Sequence, residues 1–175
     1  MMLHLQAAAD IQAALPRLPQ PKAWSAPAFL PAAYVDLVSQ IDTQMLSADA
    51  ILWTACVARH HNSAKQQDLL WADDVDTDTR SRYWLFAEDG QGDVYVLDEH
   101  GQCYFADHDA GSLHPSGFTP LRLDFLGWLQ LADLMGQVDA LLDVQDDLSA
   151  AQIAAFVACL AQLHPDLPEV FPFKL

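Results

Sequence analysis

The acids and histidines of this chain fall in patterns that could do chemistry, and the first is Asp73-Asp74-Val75-Asp76-Thr77-Asp78. Asp74, Asp76 and Asp78 stand at the D-x-D-x-D spacing that opens a calcium-binding EF-hand loop, where alternate oxygens converge on one hard cation. Counted from Asp74, Thr79 falls where that loop needs glycine and Leu85 where it needs a bidentate glutamate. The run therefore reads as a solvated acidic loop. His60-His61, Glu99-His100, Asp107-His108 and His114 offer imidazole and carboxylate groups of the kind that hold zinc or iron. None falls in an H-x-x-x-H, C-x-x-C or H-E-x-x-H pattern, so no metal and no cofactor is expected. Asp107-His108 stands out only because it follows a strand, at a loop end of the sort that often carries function.

Nucleophilic chemistry finds no better footing. There is no G-x-S-x-G elbow, and Cys103 sits in an apolar run where burial should raise its thiol pKa. Gly90-Gln91-Gly92 lacks the third glycine, the lysine and the following helix of a phosphate loop, and reads as a hairpin turn. Adjacent carboxylates are expected by chance in a chain with 24 of them. No catalytic residue is assigned and the chain is read as a non-enzyme. The competing enzymatic reading would gather Asp107, His108 and the Asp73–Asp78 loop around a metal.

Charge is the strongest global signal. Eight Lys and Arg face 24 Asp and Glu, giving a formal net charge of −16 and a pI near 4.3. Nucleic acid is excluded as a partner, because phosphate binding needs a basic stripe that releases counterions. A basic protein suits such a field, although acids also serve solubility alone. A chain of 175 residues, 52% hydrophobic and 18% charged, can bury one core. Cys56, Cys103 and Cys159 are odd in number and far apart, so they read as small buried residues in a reducing compartment. No Lys or Arg precedes Arg17, against a signal peptide, and the apolar stretch Leu148–Leu163 is too short to span a bilayer. A cytoplasmic protein without a membrane segment is the expectation.

The elements that must position these groups follow from periodicity. Leu3, Ala7, Ala8, Ile11 and Leu15 predict a short helix that Pro16 stops. Five prolines from Pro16 to Pro31 inclusive predict an extended connector. Pro31 then opens a helix to about residue 45 on the face Tyr34, Leu37, Val38, Ile41 and Met45. Ile51–Val57 reads as a strand and His60–Gln67 as a polar loop or short helix. Residues 83–87, 93–97 and 102–106 are three β-rich runs of a meander, with Gly101 placed for a positive-φ turn.

The aromatic set Trp71, Tyr83, Trp84, Phe86, Tyr95, Tyr104 and Phe105 fills this sheet. Alternation sends Trp84 and Phe86 to one face and Tyr83 and Leu85 to the other, so that one set could be presented outward. Thr119-Pro120 predicts a helix start, with Leu121, Phe125, Leu126, Trp128, Leu129 and Leu131 carrying the helix to Gly136. Ser149 and Gln152 form a capping box for a last helix with Ile153, Phe156, Val157, Leu160 and Leu163 on its apolar face and a Leu148–Ile153 staple. The class is α+β: a small antiparallel meander flanked by helices, with an additional C-terminal helix.

In these residues the chain resembles the SUKH superfamily, small α+β proteins that include bacterial toxin-immunity proteins and fungal cell-wall regulators. The resemblance rests on Leu30-Pro31-Ala32-Ala33-Tyr34 opening a helix, Tyr83–Ala87, Gly92–Asp98, Gly101–His108, and the Phe125-Leu126 pair in the succeeding helix. It spans about 30–135. It implies a non-catalytic fold that neutralises a partner by direct binding, in bacteria commonly a secreted nuclease or other polymorphic toxin. An acidic inhibitor could occupy a basic nuclease groove by imitating phosphate charge.

The expected organisation is an N-terminal helix and Pro-rich connector (1–29), a SUKH-like core (30–136) and a C-terminal helical extension packed on it (137–175). The leading functional expectation is an immunity-type protein that binds a basic toxin domain. Its expected contact residues are the loop acids Asp73, Asp74, Asp76, Asp78, Glu88, Asp89 and Glu99. The alternative is a homodimeric scaffold joined through an exposed strand face or the C-terminal helix.

Overall fold

A computed structural model of the chain describes residues 3–173. The helix expected from Leu3 begins later, as α1 (Ala8–Ala14), and Leu15-Pro16 ends it. The connector is laid against the next helix rather than free: Leu18 and Lys22 donate their backbone N–H groups to Gln40 and Ser39 carbonyls at 2.7 Å each. That helix, α2 (Ala32–Val38), buries Tyr34, Leu37 and Val38, as their spacing predicts. It is shorter than expected. Ser39 Oγ and Gln40 Nε2 both donate to the Asp36 carbonyl and close the last turn. Residues beyond Ile41 then enter a hairpin of β1 (Gln44–Ser47) and β2 (Ala50–Leu52), which leaves Met45 on a strand and exposed.

The strand expected over 51–57 is cut at Thr54. Its hydroxyl accepts the N–H groups of Cys56 and Val57 and starts α3 (Ala55–His61), a side-chain cap that outweighs the β preference of the preceding residues. Cys56 is thereby exposed, while Cys103 and Cys159 are buried. Two further helices follow, α4 (Ala64–Leu70) and α5 (Thr77–Arg80), the latter capped by Asp76.

The expected meander forms as β3 (Tyr83–Glu88), β4 (Val94–Asp98) and β5 (Cys103–Ala106). With β6 (Thr119–Pro120) it completes a six-stranded sheet in which all neighbours are antiparallel and sequential. Thr119-Pro120 is thus an edge strand, where a missing N–H is tolerated. The long helix α6 (Phe125–Leu142) starts instead at Asp124, whose carboxylate accepts the Gly127 N–H at 2.8 Å. It also runs past Gly136, so the boundary expected there falls inside a helix. After α6 come α7 (Ala150–Leu163), with the capping box of Ser149 and Gln152 in place, and α8 (Leu167–Val170).

Two contacts close exposed sheet edges. A Cβ on Gly136 would sit 2.3 Å from the Leu46 carbonyl oxygen, so the glycine lets β1 lie directly on α6. Asp139 Oδ2 then accepts the Ala48 N–H at 2.7 Å. On β3, beyond its pairing with β2, the Asn62 amide completes the ladder by donating to the Leu85 carbonyl (2.7 Å) and accepting the Leu85 N–H (2.9 Å). Unpaired edges invite association, and both devices remove it.

Trp84 and Phe86 share a face, as alternation predicts, and that face is core. Phe86 meets Tyr34, Phe125 and Trp128 at ring distances of 5.9, 6.0 and 4.8 Å, and Trp84 Nε1 donates to the Tyr34 hydroxyl at 2.9 Å. The opposite face is covered too: Tyr83 packs on Trp71 and Phe118. Neither aromatic set is therefore presented outward. The N-terminal segment docks on α6, where Gln137 exchanges two hydrogen bonds with the His4 backbone. On α7, Phe156, Cys159 and Leu160 are buried, but Ile153 and Val157, assigned to its inner face, are exposed. Among the described residues no helix is long and apolar enough to cross a membrane.

Candidate functional site at the acidic end of the sheet

The turns of the meander are built by one repeated device. Asp89 and Asp98 each stand three residues before a positive-φ glycine, Gly92 (φ 108°) and Gly101 (φ 76°). Asp89 Oδ1 accepts the N–H groups of Gln91, Gly92 and Asp93 at 2.7–2.8 Å. Asp98 Oδ1 accepts those of His100 and Gln102 at 2.9 Å, and its Oδ2 accepts the Tyr104 hydroxyl. The carboxylate takes up amide donors that the reversing chain cannot pair otherwise, and glycine supplies the backbone conformation. The D-x-x-G spacing recurs at Asp124–Gly127 and Asp133–Gly136, at the start of and within α6, so it marks a turn only where it separates β-rich runs.

One residue beyond the first turn, Asp93 does something different. Its Oδ1 accepts the His108 backbone N–H at 2.8 Å and lies 2.6 Å from His108 Nδ1. The β4–β5 register, which pairs Val94 with Ala106, sets Asp93 opposite Asp107 at the next position. Donor atoms of Asp93, Asp107 and His108 consequently lie within 4.8 Å of one another. His108 Nε2 is 3.3 Å from Asp109 Oδ1, and Asp107 Oδ1 caps the following 3-10 turn through the Asp109 N–H at 2.7 Å. The bond to Asp93, with the carboxylates of Asp109, Asp93 and Asp107 around it, raises the His108 pKa. Nearby, the Asp49 carboxyl is also raised, by burial and then by Asp139, Asp89 and Asp93.

The expected contact residues do not gather at one end of the sheet: Glu88 and Asp89 lie at the β3–β4 turn beside Asp93, Glu99 lies in the β4–β5 turn at the opposite end of those strands, and Asp73, Asp74, Asp76 and Asp78 lie in and before α5, which leads into the start of β3. Asp73, Asp74, Asp76 and Asp78 are exposed. Asp76 is occupied as the α5 cap, and the Thr79 N–H holds its carboxyl below the usual range. Asp74 lies 3.9 Å from His114 Nε2, so the acidic loop faces His114 while His108 is turned to Asp93. Glu88 ends β3 half-buried, and Glu99 is exposed beside Arg82 at 3.9 Å. Asp89 is only 2% exposed and its Oδ1 is taken up by its own turn. Asp93 and Asp109, absent from the expected set, belong to the site. An open groove of about 750 Å³ lies elsewhere, lined by Pro27, Cys56, Arg59, His60 and Trp84, and the carboxylate surface does not extend into it.

Little of this acidity is neutralised. Among the described residues, Lys and Arg pair with three carboxylates, those of Asp42, Asp68 and Glu99. The Cys103 thiol is pushed well up by complete burial, against a role as nucleophile. No protein-family model, curated protein or solved structure matches the chain.

Proposed function

We propose that this chain is a non-catalytic binding protein that neutralises a basic protein partner, such as a toxin domain, through its acidic loops. The observation that carries the reading is the uncompensated field: 24 carboxylates in the sequence, three of them paired with Lys or Arg among the described residues. Such a field speeds encounter with a positively charged surface and disfavours acidic competitors. Asp73 and Asp74, before α5, and Asp78, within it, are exposed, and the segment follows Trp71, which packs on Tyr83 of β3. The resemblance to immunity proteins of the SUKH superfamily supports the same reading and adds a nuclease-type toxin as the partner class, bound inside the producing cell. The test is the salt dependence of binding to a candidate toxin domain. Affinity should fall steeply between low and high ionic strength, and a salt-independent affinity would refute an electrostatic mode.

A second reading, self-association, is favoured by one observation. The 14 residues of α7 carry no charge, and Ala151, Ile153, Ala154, Val157, Ala158 and Ala161 are exposed along it. On so acidic a chain this is a face where two copies could meet without opposing carboxylates. Sedimentation of the wild type and Val157→Glu tests it: a dimer dispersed by the substitution supports this reading, and a wild-type monomer ends it.

A further inference from the structure

We propose that Asp93, Asp107 and His108 form a binding site for a divalent cation of the zinc class, independent of the partner-binding reading above. The three groups are brought together by the register of two adjacent strands, with donor atoms within 4.8 Å of one another. Like charges directly opposite in an antiparallel pair destabilise it, yet the fold sets Asp93 against Asp107, and neither is among the acids that Lys or Arg pair with. The group between them is an imidazole, which can carry one positive charge or give its nitrogen to a metal.

Each donor is already oriented. Asp93 is largely buried and its backbone N–H is held by Asp89, while its Oδ1 takes the His108 backbone N–H. Asp107 is fixed by its cap to Asp109. A further carboxylate oxygen adds to the negative field: Asp89 Oδ2 is buried without a hydrogen-bond partner, on the side chain whose other oxygen holds the Asp93 amide. A dication would compensate this cluster more fully than one imidazolium. One nitrogen with two carboxylates favours zinc, manganese or iron over calcium and magnesium, which take oxygen ligands.

Binding closes the set around metal–donor bonds of about 2.0–2.2 Å. The 2.6 Å contact between His108 Nδ1 and Asp93 Oδ1 opens to free the ring nitrogen: an imidazolium gives the Nδ1 proton to solvent, and a neutral imidazole with its proton there carries it on Nε2 instead. Asp107 and His108 are exposed, so a cation can reach them from solvent. Three protein donors leave a position for water, so the affinity should be modest.

The test is titration of the intact chain with Zn²⁺ by calorimetry in two buffers of different ionisation enthalpy, and with Co²⁺ by visible absorption. One ion per chain and a cobalt ligand-field band are expected, and the buffer pair counts any proton His108 gives up. Asp107→Asn and His108→Gln alter exposed residues, and each should weaken Zn²⁺ binding at least about tenfold with the circular dichroism spectrum unchanged. Absence of saturable binding overturns the proposal, as does Zn²⁺ affinity unchanged in both variants, which would place the ion on other histidines or on the Asp73–Asp78 loop.

Discussion

Replacing Gly136 by alanine should destabilise the protein, against the usual effect in a helix. In a helix interior alanine is favoured over glycine by about 1 kcal/mol. Here the new Cβ would lie 2.3 Å from the Leu46 carbonyl oxygen, a backbone atom that no side-chain rotation can clear. β1 must retreat from α6 by about 1 Å to restore ordinary contact. Overpacking of this kind costs about 1–3 kcal/mol. The retreat also stretches the 2.7 Å bond from the Ala48 N–H to Asp139, and a charged acceptor contributes about 1.5–3 kcal/mol. Less the propensity gain, the net loss is about 2–4 kcal/mol, a fall of about 5–15 °C in Tm for a chain of this size. Urea and thermal unfolding followed by circular dichroism measure it, and hydrogen exchange should show reduced protection of the Ala48 amide. A variant as stable as the wild type, with Ala48 still protected, would refute the close packing of β1 on α6.

Other outcomes follow from the same contacts. Asn62→Ala strips partners from both the N–H and the carbonyl of Leu85, and should cost about 2–4 kcal/mol in urea unfolding. Asp89→Ala leaves three turn amides without their acceptor and should cost about 2–4 kcal/mol, with exchange accelerated at Gln91, Gly92 and Asp93. His61 stacks on Trp53 at 4.2 Å, and its pKa is lowered, first by burial. The unfolded chain, with an ordinary value near 6.5, then binds more protons than the folded one. The stability present above about pH 6.5 is lost as pH falls through the lowered value. Thermal melts from pH 7.5 to 5 should show less of this acid-side loss in His61→Gln, and an NMR midpoint for His61 at or above 6.5 would contradict the shift.

What the sequence made legible was what local chemistry decides. The three central strands follow from their β-rich runs, the turns from Gly90-Gln91-Gly92 and Gly101, and α7 from the Ser149–Gln152 box. Errors came where two local signals competed or where a distant residue decided. Thr54 lies within an apolar run yet caps a helix, and Thr119-Pro120 has the form of a helix start yet pairs with Tyr104 and Phe105. Gly136 resembles a terminator because the carbonyl that requires it belongs to Leu46, far off in the chain. The same limit applies to the site. Asp107-His108 was visible as a pair at a strand end, but its partner Asp93 is found only once the β4–β5 register is known. The burial of Asp89 likewise depends on the turn that encloses it.

The central claim, partner binding through the acidic loops, is tested most directly by affinity capture from the source cell's lysate and secretions at low and then high salt. Wild type should be compared with a variant carrying Asn at 73, 74, 76 and 78, and retained proteins identified by mass spectrometry. The account predicts one basic protein held by the wild type at low salt, weakened by salt and by the four substitutions together. Recovery of the chain alone, or of a partner indifferent to both salt and the substitutions, would contradict it.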